Sequence, residues 1–180
     1  MVVIGVLGYP ALNRSSGGGT PGAPGGSASP EIGAVDLTTM SLDEQATRLF
    51  NRVMSSNSTG DTADVAFFLP KALTIYEQVA PTDPDGIYHF TLLHLVGEDF
   101  AAAYAKAQEG LSLVPDHLLL LAAGAEAAIG LGDENTARAL YTRLLDVYDT
   151  EMEMPRPGYD HHQRILPAYR EQARAFLGRG

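Results

Sequence analysis

Apolar residues recur at helical spacing through most of the chain, with polar residues between them. In the segment 41–55 they fall on one face of a helix, and Ser41 and Glu44 supply the S-x-x-E pattern of a capping box at its start. The segment 117–131 is strongly apolar in its first turn, so we expect it to be the most buried helix. The same reasoning predicts further helices over 62–80, 86–96, 99–113, 134–148 and 160–177. The pattern therefore predicts an all-α fold.

A set of positions recurs in three copies along this helical region. In each copy a small residue is followed four residues later by an aromatic or small one, and three residues after that by an apolar or small one. The copies are offset by 31 and then by 34 residues, a period typical of stacked helical pairs. The recurring positions, with the residue at the helix end, are Ala72, Tyr76, Val79 and Pro84, then Ala103, Ala107, Gly110 and Pro115, then Ala137, Tyr141, Leu144 and Asp149.

This pattern resembles the tetratricopeptide repeat, in which a small residue lets two helices approach and an aromatic residue fills the gap beside it. The family's turn of glycine plus acid is present at 97–99 and at 132–133. The middle copy departs from the family, because it has one extra residue in its turn and Ala107 where an aromatic is usual. The resemblance covers 41–150. It implies a right-handed solenoid of antiparallel helix pairs, with 160–177 as a C-terminal capping helix.

The first 40 residues differ in composition from the rest of the chain. The segment 1–14 contains an apolar run that is shorter than the roughly 20 residues of a membrane span. It is either the remnant of a membrane anchor or export signal that begins upstream of Met1, or a short apolar terminus or lone β-strand. The segment 15–40 is rich in Gly, Ser and Pro, which predicts a disordered linker. The repeat-like domain is therefore expected over 41–178.

Composition and charge narrow the classes of function. The formal net charge of −10 disfavours binding to nucleic acid and to an anionic membrane surface, since both need clustered Lys and Arg. The sequence contains no Cys, which excludes disulfides, thiolate nucleophiles and Cys-based metal sites. Apolar residues make up 45% of the chain, enough for a packed core.

The sequence contains candidates for a cofactor or metal site, but their spacing or surrounding residues do not suit such a site. A glycine-rich match to the dinucleotide fingerprint at 17–22 is surrounded by prolines and lacks a βαβ unit. Adjacent His161 and His162 would point about 100° apart on a helix. His89 and His94 are five residues apart, whereas a two-histidine helical site needs a spacing of four. We therefore predict no cofactor, no metal and no enzymatic activity, with a metal-dependent enzyme as the remote alternative.

The resemblance implies a non-catalytic scaffold or adaptor that binds a peptide segment or helix of a partner protein in a concave groove. The first helices of the pairs would line this groove, in parts of 41–55, 86–96 and 117–131. We expect the contacts to come from polar and aromatic side chains on these helices. They are Arg48, Arg52, Tyr88, Thr91, His94 and Glu126.

A second hypothesis is a structural or assembly subunit of a bacterial membrane complex, for example of the cytochrome c maturation type. This is what the family resemblance and the apolar N-terminus suggest together. The chain would then be tethered to the inner membrane through its N-terminus, with the repeat domain in the periplasm. A free adaptor in the cytoplasm is the alternative location.

Overall fold

The computed structural model describes residues 40–178, and this part of the chain is predominantly helical. Its elements are α1 (Leu42–Thr59), α2 (Thr62–Val79), α3 (Pro84–Val96), α4 (Phe100–Leu113), α5 (Leu118–Gly130), α6 (Glu134–Met152), a 3₁₀-helix (Pro157–His161) and α7 (Ile165–Leu177). The predicted all-α class is confirmed over this range. The expectations for 1–14 and for the linker 15–40, apart from Met40 at its end, lie outside the described residues.

Short polar side chains determine where most of the helices begin. The Ser41 hydroxyl accepts a hydrogen bond from the Glu44 amide at 3.3 Å, and the Glu44 carboxylate accepts one from the Ser41 amide at 2.9 Å, which confirms the capping box. Four other helices begin after an aspartate whose carboxylate accepts from the amide three residues later. These aspartates are Asp61, Asp83, Asp99 and Asp133. Part of the negative charge of the chain is therefore used to cap helices, where the helix dipole favours it.

Helices that are neighbours in sequence pack against each other as α1 with α2, α3 with α4, and α5 with α6, while α4 also packs on α5 and α6 on α7. Ala72, Ala103 and Ala137, which open the three copies of the recurring pattern, have no exposed surface. At Gly110 an added Cβ would lie 2.5 Å from a methyl carbon of Leu120, so a glycine is needed for α4 to approach α5 this closely. The small residues of the pattern therefore lie inside the packed array.

Helix α5 is the centre of the core, as its sequence predicts. All residues from 118 to 128 are buried, because α3, α4, α6 and α7 each pack against this helix. Within residues 40–178 no helix combines the length and the apolar character needed to cross a membrane.

The chain after α6 departs from the predicted single helix 160–177. It forms the 3₁₀-helix first, and α7 begins only at Ile165. Pro167 explains this start, because proline is tolerated in the first turn of a helix, whereas further inside it removes a hydrogen bond and clashes with the preceding turn. The 3₁₀-helix and α7 together, residues 157–177, are called the C-terminal segment below.

Candidate functional site

Half of the residues predicted to contact a partner lie in the interior of the domain. Tyr88, Thr91 and Glu126 are at most 3% exposed. The Tyr88 hydroxyl lies 2.9 Å from the Tyr169 hydroxyl, and Glu126 accepts a hydrogen bond from the Gln172 side chain at 3.0 Å. The Thr91 hydroxyl donates to the backbone carbonyl one turn earlier at 2.9 Å. These three side chains therefore face other parts of the same chain.

The other three predicted residues are accessible to different extents. Arg48 and Arg52 are exposed on α1, whereas His94 is half-buried on α3. Arg52 forms a bidentate pair with Asp64 of α2, and its guanidinium lies 5.2 Å from the centre of the Phe68 ring. The hydrogen bond from Arg52 lowers the pKa of Asp64 from its ordinary value. The structure thus places Arg48 and Arg52 on α1, with Arg52 paired to α2.

The C-terminal segment occupies the side of α3 and α5 where the groove is predicted. Besides the contacts of α7, the Tyr159 hydroxyl accepts a hydrogen bond from the Leu118 amide at 2.8 Å. The Tyr159 ring also lies 5.1 Å from the ring of His117 at the start of α5. The C-terminal segment therefore packs against the parts of α3 and α5 that carry Tyr88 and Glu126.

Helix α2 combines few buried residues with one strongly exposed aromatic side chain. Of its 18 residues only Ala72 and Tyr76 are buried. Phe67 is 60% exposed, more than any other large apolar side chain in the part of the chain that the structure describes. Further apolar side chains of this helix are half-buried, namely Val65, Phe68, Leu69, Leu73, Ile75 and Val79. We call this surface, together with Phe67, the α2 face.

Cationic side chains lie directly beside the α2 face. The Lys71 ammonium is 3.2 Å from the centre of the Phe67 ring and also donates to the Phe67 carbonyl at 2.8 Å. Arg52 approaches the Phe68 ring from α1. Cations over aromatic faces are attracted by the ring electrons. These contacts hold positive charge at one side of an apolar surface in a chain whose net charge is −10.

A second arrangement of interest is a cluster of Asp85, His89 and His162 where the 3₁₀-helix meets α3. Asp85 and His89 are four residues apart, so they lie on the same face of α3. His162 follows the 3₁₀-helix directly, and its Nε2 is 3.0 Å from the Asp85 carboxylate. Each of the three offers one atom capable of binding a metal, and these atoms all lie within 4.8 Å of one another.

Burial and neighbouring charges determine the protonation of this cluster, which is surrounded by aromatic rings. The centre of the His89 ring lies 4.2 Å from the centre of the Phe50 ring and 5.3 Å from the centre of the His162 ring. Burial lowers the pKa of His89 to about 4, so its imidazole is neutral at pH 7. Burial raises the pKa of Asp85, but the hydrogen bond with His162 and the nearby histidines outweigh this effect, and the net pKa lies below the ordinary value. At neutral pH the cluster therefore contains a carboxylate and at least one neutral imidazole.

The approach of the 3₁₀-helix to Asp85 depends on Gly158. A Cβ at position 158 would lie 2.6 Å from Asp85 Oδ1, which is too close for a carbon–oxygen contact. The same region is fastened to α6, where the Glu151 carboxylate accepts hydrogen bonds from Arg156 at 2.7 Å and from the Tyr159 hydroxyl at 3.3 Å. The backbone around His162 is thus held against both α3 and α6.

Sequence spacing pairs His89 with His94 and His162 with His161, whereas the fold brings His89 and His162 together with Asp85. The D-x-x-x-H spacing of Asp85 and His89 was the visible signal, since residues four apart share a helix face. His162 is separated from Asp85 by 77 positions, so its place in the cluster depends on the fold.

Comparison with known proteins gives no relative: the chain matches no protein-family model, no curated protein and no solved structure. The assignment of function therefore depends on the geometry described above.

Proposed function

We propose that the protein is a non-catalytic interaction scaffold, built as a right-handed solenoid of tetratricopeptide-like helix pairs, that binds an amphipathic helix of a partner protein along the α2 face. The main support for this proposal is Phe67, which is 60% exposed in the second turn of α2 and packs edge-on against the half-buried Phe68 ring, with the ring centres 4.9 Å apart. Adjoining apolar side chains at the surface mark a candidate interaction site. The assembly-subunit hypothesis depends on residues 1–14, outside the described range, and stays a prediction.

The size and shape of the surface suit a helix. Helix α2 has 18 residues, which corresponds to a length of about 27 Å. A partner helix of similar length could lay an apolar stripe against Phe67 and the half-buried side chains beside it, the mode by which grooves bind amphipathic helices. Burying apolar surface contributes roughly 25 cal/mol per Å², so the exposed rings supply a driving force for such binding.

The charges beside the α2 face favour a partner with acidic residues at the flank of its stripe. Arg48, Arg52 and Lys71 are exposed and lie on the α1–α2 pair. The net charge of −10 acts at longer range and would repel an acidic partner. Because salt screens charges beyond about 8 Å at physiological ionic strength, the charges at the contact decide the preference, and since Arg52 is paired with Asp64, Lys71 beside Phe67 is the main cation there.

The test uses Phe67 and a matched exposed leucine on another helix. A photo-cross-linking amino acid is placed at position 67, or at position 113 on α4, where Leu113 is 54% exposed, in the full chain in its native cells. We expect a discrete adduct from position 67 only. The cross-linked partner segment is then made as a peptide, and its binding is measured by titration calorimetry. Phe67→Glu should weaken binding about tenfold or more, whereas Leu113→Glu should leave it unchanged.

Equal affinity of the wild type and Phe67→Glu for the peptide would contradict the proposal. Sedimentation of the purified full chain gives a further outcome. A dimer that dissociates on the Phe67→Glu substitution would show that a second copy of this chain, and not a partner helix, covers the α2 face. Circular dichroism of both variants confirms that they remain folded before binding is compared.

A further inference from the structure

The donor atoms of the Asp85–His89–His162 cluster match the chemistry of a particular class of metal ion. Two imidazole nitrogens and one carboxylate oxygen suit Zn²⁺ and its first-row neighbours, whereas Mg²⁺ and Ca²⁺ prefer sites made wholly of oxygen. The chain has no Cys, so no thiolate competes with these donors for such an ion. The cluster therefore favours a zinc-type ion over the other common divalent cations.

The geometry of the cluster is close to what such an ion requires. Zinc binds nitrogen and oxygen at about 2.0–2.2 Å in a tetrahedron, which places two ligand atoms about 3.3 Å apart. The Asp85 oxygen and His162 Nε2 are 3.0 Å apart, and all three donor atoms lie within 4.8 Å of one another. The Asp85–His162 separation is thus already close to that of two tetrahedral ligands, and any donor pair that is farther apart would have to move closer to bind the ion.

The surroundings hold the three donors in place. His162 is 5% exposed, and its ring packs edge-on against the Tyr88 ring at 5.3 Å. The Phe50 ring packs against the His89 ring. Gly158 allows the 3₁₀-helix to come close to Asp85. Rings fixed by packing lose little freedom when they bind an ion, and this pre-organisation favours binding.

We propose that Asp85, His89 and His162 bind one divalent first-row transition ion, Zn²⁺ above all, which clamps the C-terminal segment to α3. The three protein ligands leave a fourth tetrahedral position for water. The ion would join parts of the chain 77 residues apart, at the place where the C-terminal segment covers the inner helices. Bound there, the ion would stabilise the closed arrangement of the domain.

Nearby acidic groups supply the charge balance for such an ion. One carboxylate and two neutral imidazoles leave a bound Zn²⁺ with one uncompensated positive charge. Asp83, at the start of α3, lies close enough to His89 to act on it electrostatically. Negative charge beside the cluster therefore further favours a cation there.

The experiment measures zinc binding to the full chain. Protein stripped of metal with a chelator is titrated with Zn²⁺ alone by calorimetry, and the Tm is recorded with and without the ion. We expect one Zn²⁺ per chain and a rise in Tm, because an ion that binds the folded state stabilises it. Asp85→Asn, His89→Gln and His162→Gln should each weaken binding about tenfold or more and abolish the rise in Tm.

The matched control is the exposed neighbour of His162. His161→Gln changes one imidazole beside the cluster and should keep the wild-type affinity and the rise in Tm. Equal zinc affinity in Asp85→Asn and the wild type, or an equal loss in His161→Gln and His162→Gln, would overturn the proposal. Should His162→Gln fail to fold, the near-isosteric Asp85→Asn decides the result. Phe67→Glu should retain zinc binding, so the two proposals can fail separately.

Discussion

The carboxyl group of Glu126 behaves differently in this fold from the same group in water. It is 3% exposed on α5, and burial raises its pKa to about 7, although the hydrogen bond from Gln172 opposes the shift. The other atom of the same amide, Gln172 Oε1, is buried without a hydrogen-bond partner among residues 40–178. Because a buried charge is costly, this environment favours the protonated acid over the carboxylate.

Glu126→Gln should therefore stabilise the protein at high pH. The unfolded chain loses the Glu126 proton near its ordinary pKa of 4.5, whereas the folded protein keeps it until about 7, so wild-type stability falls as pH rises through this window. Glutamine resembles the protonated acid and cannot ionise. Urea unfolding should show a gain of about 1–3 kcal/mol at pH 8 and little change at pH 4.5.

Glu171→Gln provides the control for this measurement. Glu171 is on α7 and is 68% exposed in its side chain, so its replacement should leave the pH dependence unchanged. Equal stability of Glu126→Gln and the wild type at both pH values would show that the carboxyl is not held protonated by the fold.

Gly158→Ala should destabilise the protein by about 1–3 kcal/mol, because the new Cβ would collide with the Asp85 carboxylate. Chemical unfolding measures the change. The same substitution in an Asp85→Ala background should cost less, since the colliding atoms are then absent. An equal loss of stability in both backgrounds would show that Gly158→Ala does not act through a collision with Asp85.

At the scale of elements, helix positions were largely predictable and one start was not. Capping by Ser41 and by the aspartates, together with apolar periodicity, locates α1 to α6 within a few residues, except that α1 continues to Thr59 instead of ending at 55 and α6 to Met152 instead of ending at 148. The predicted helix 160–177 was wrong in its first turn, because Pro167 is tolerated only near a helix start. Capping residues and apolar periodicity therefore predict a helix well, because both depend on residues within that helix.

The recurring small residues lie where neighbouring helices pack together. A substitution at Ala103 tests whether a small side chain is needed at such a contact. It is fully buried on α4. Ala103→Leu should overpack the contact between neighbouring helices and reduce the free energy of unfolding by about 1–3 kcal/mol. Ala105→Leu, on the exposed side of the same helix, should change it by no more than about 0.5 kcal/mol. Equal effects would mean that the assumed register of α4 is wrong.

For the whole molecule, the sequence predicted the class of fold better than the candidate sites. Helical periodicity is a local property, whereas the burial of Tyr88 and Glu126 depends on α7, which is distant in the chain. A pattern on one helix cannot reveal which part of the chain will cover it. For the same reason the grouping of Asp85 and His89 with His162 required the fold.

The pairing of Tyr88 with Tyr169 has a consequence for folding kinetics. In a simple linear array each repeat contacts only its neighbours, so folding can start anywhere and the ends can fray independently. Here the hydroxyl groups meet across 81 positions, and the last helix touches the second pair. Contacts at such separation slow folding, because a long loop must close first. During synthesis, the interior of α3 stays incomplete until Tyr169 has left the ribosome.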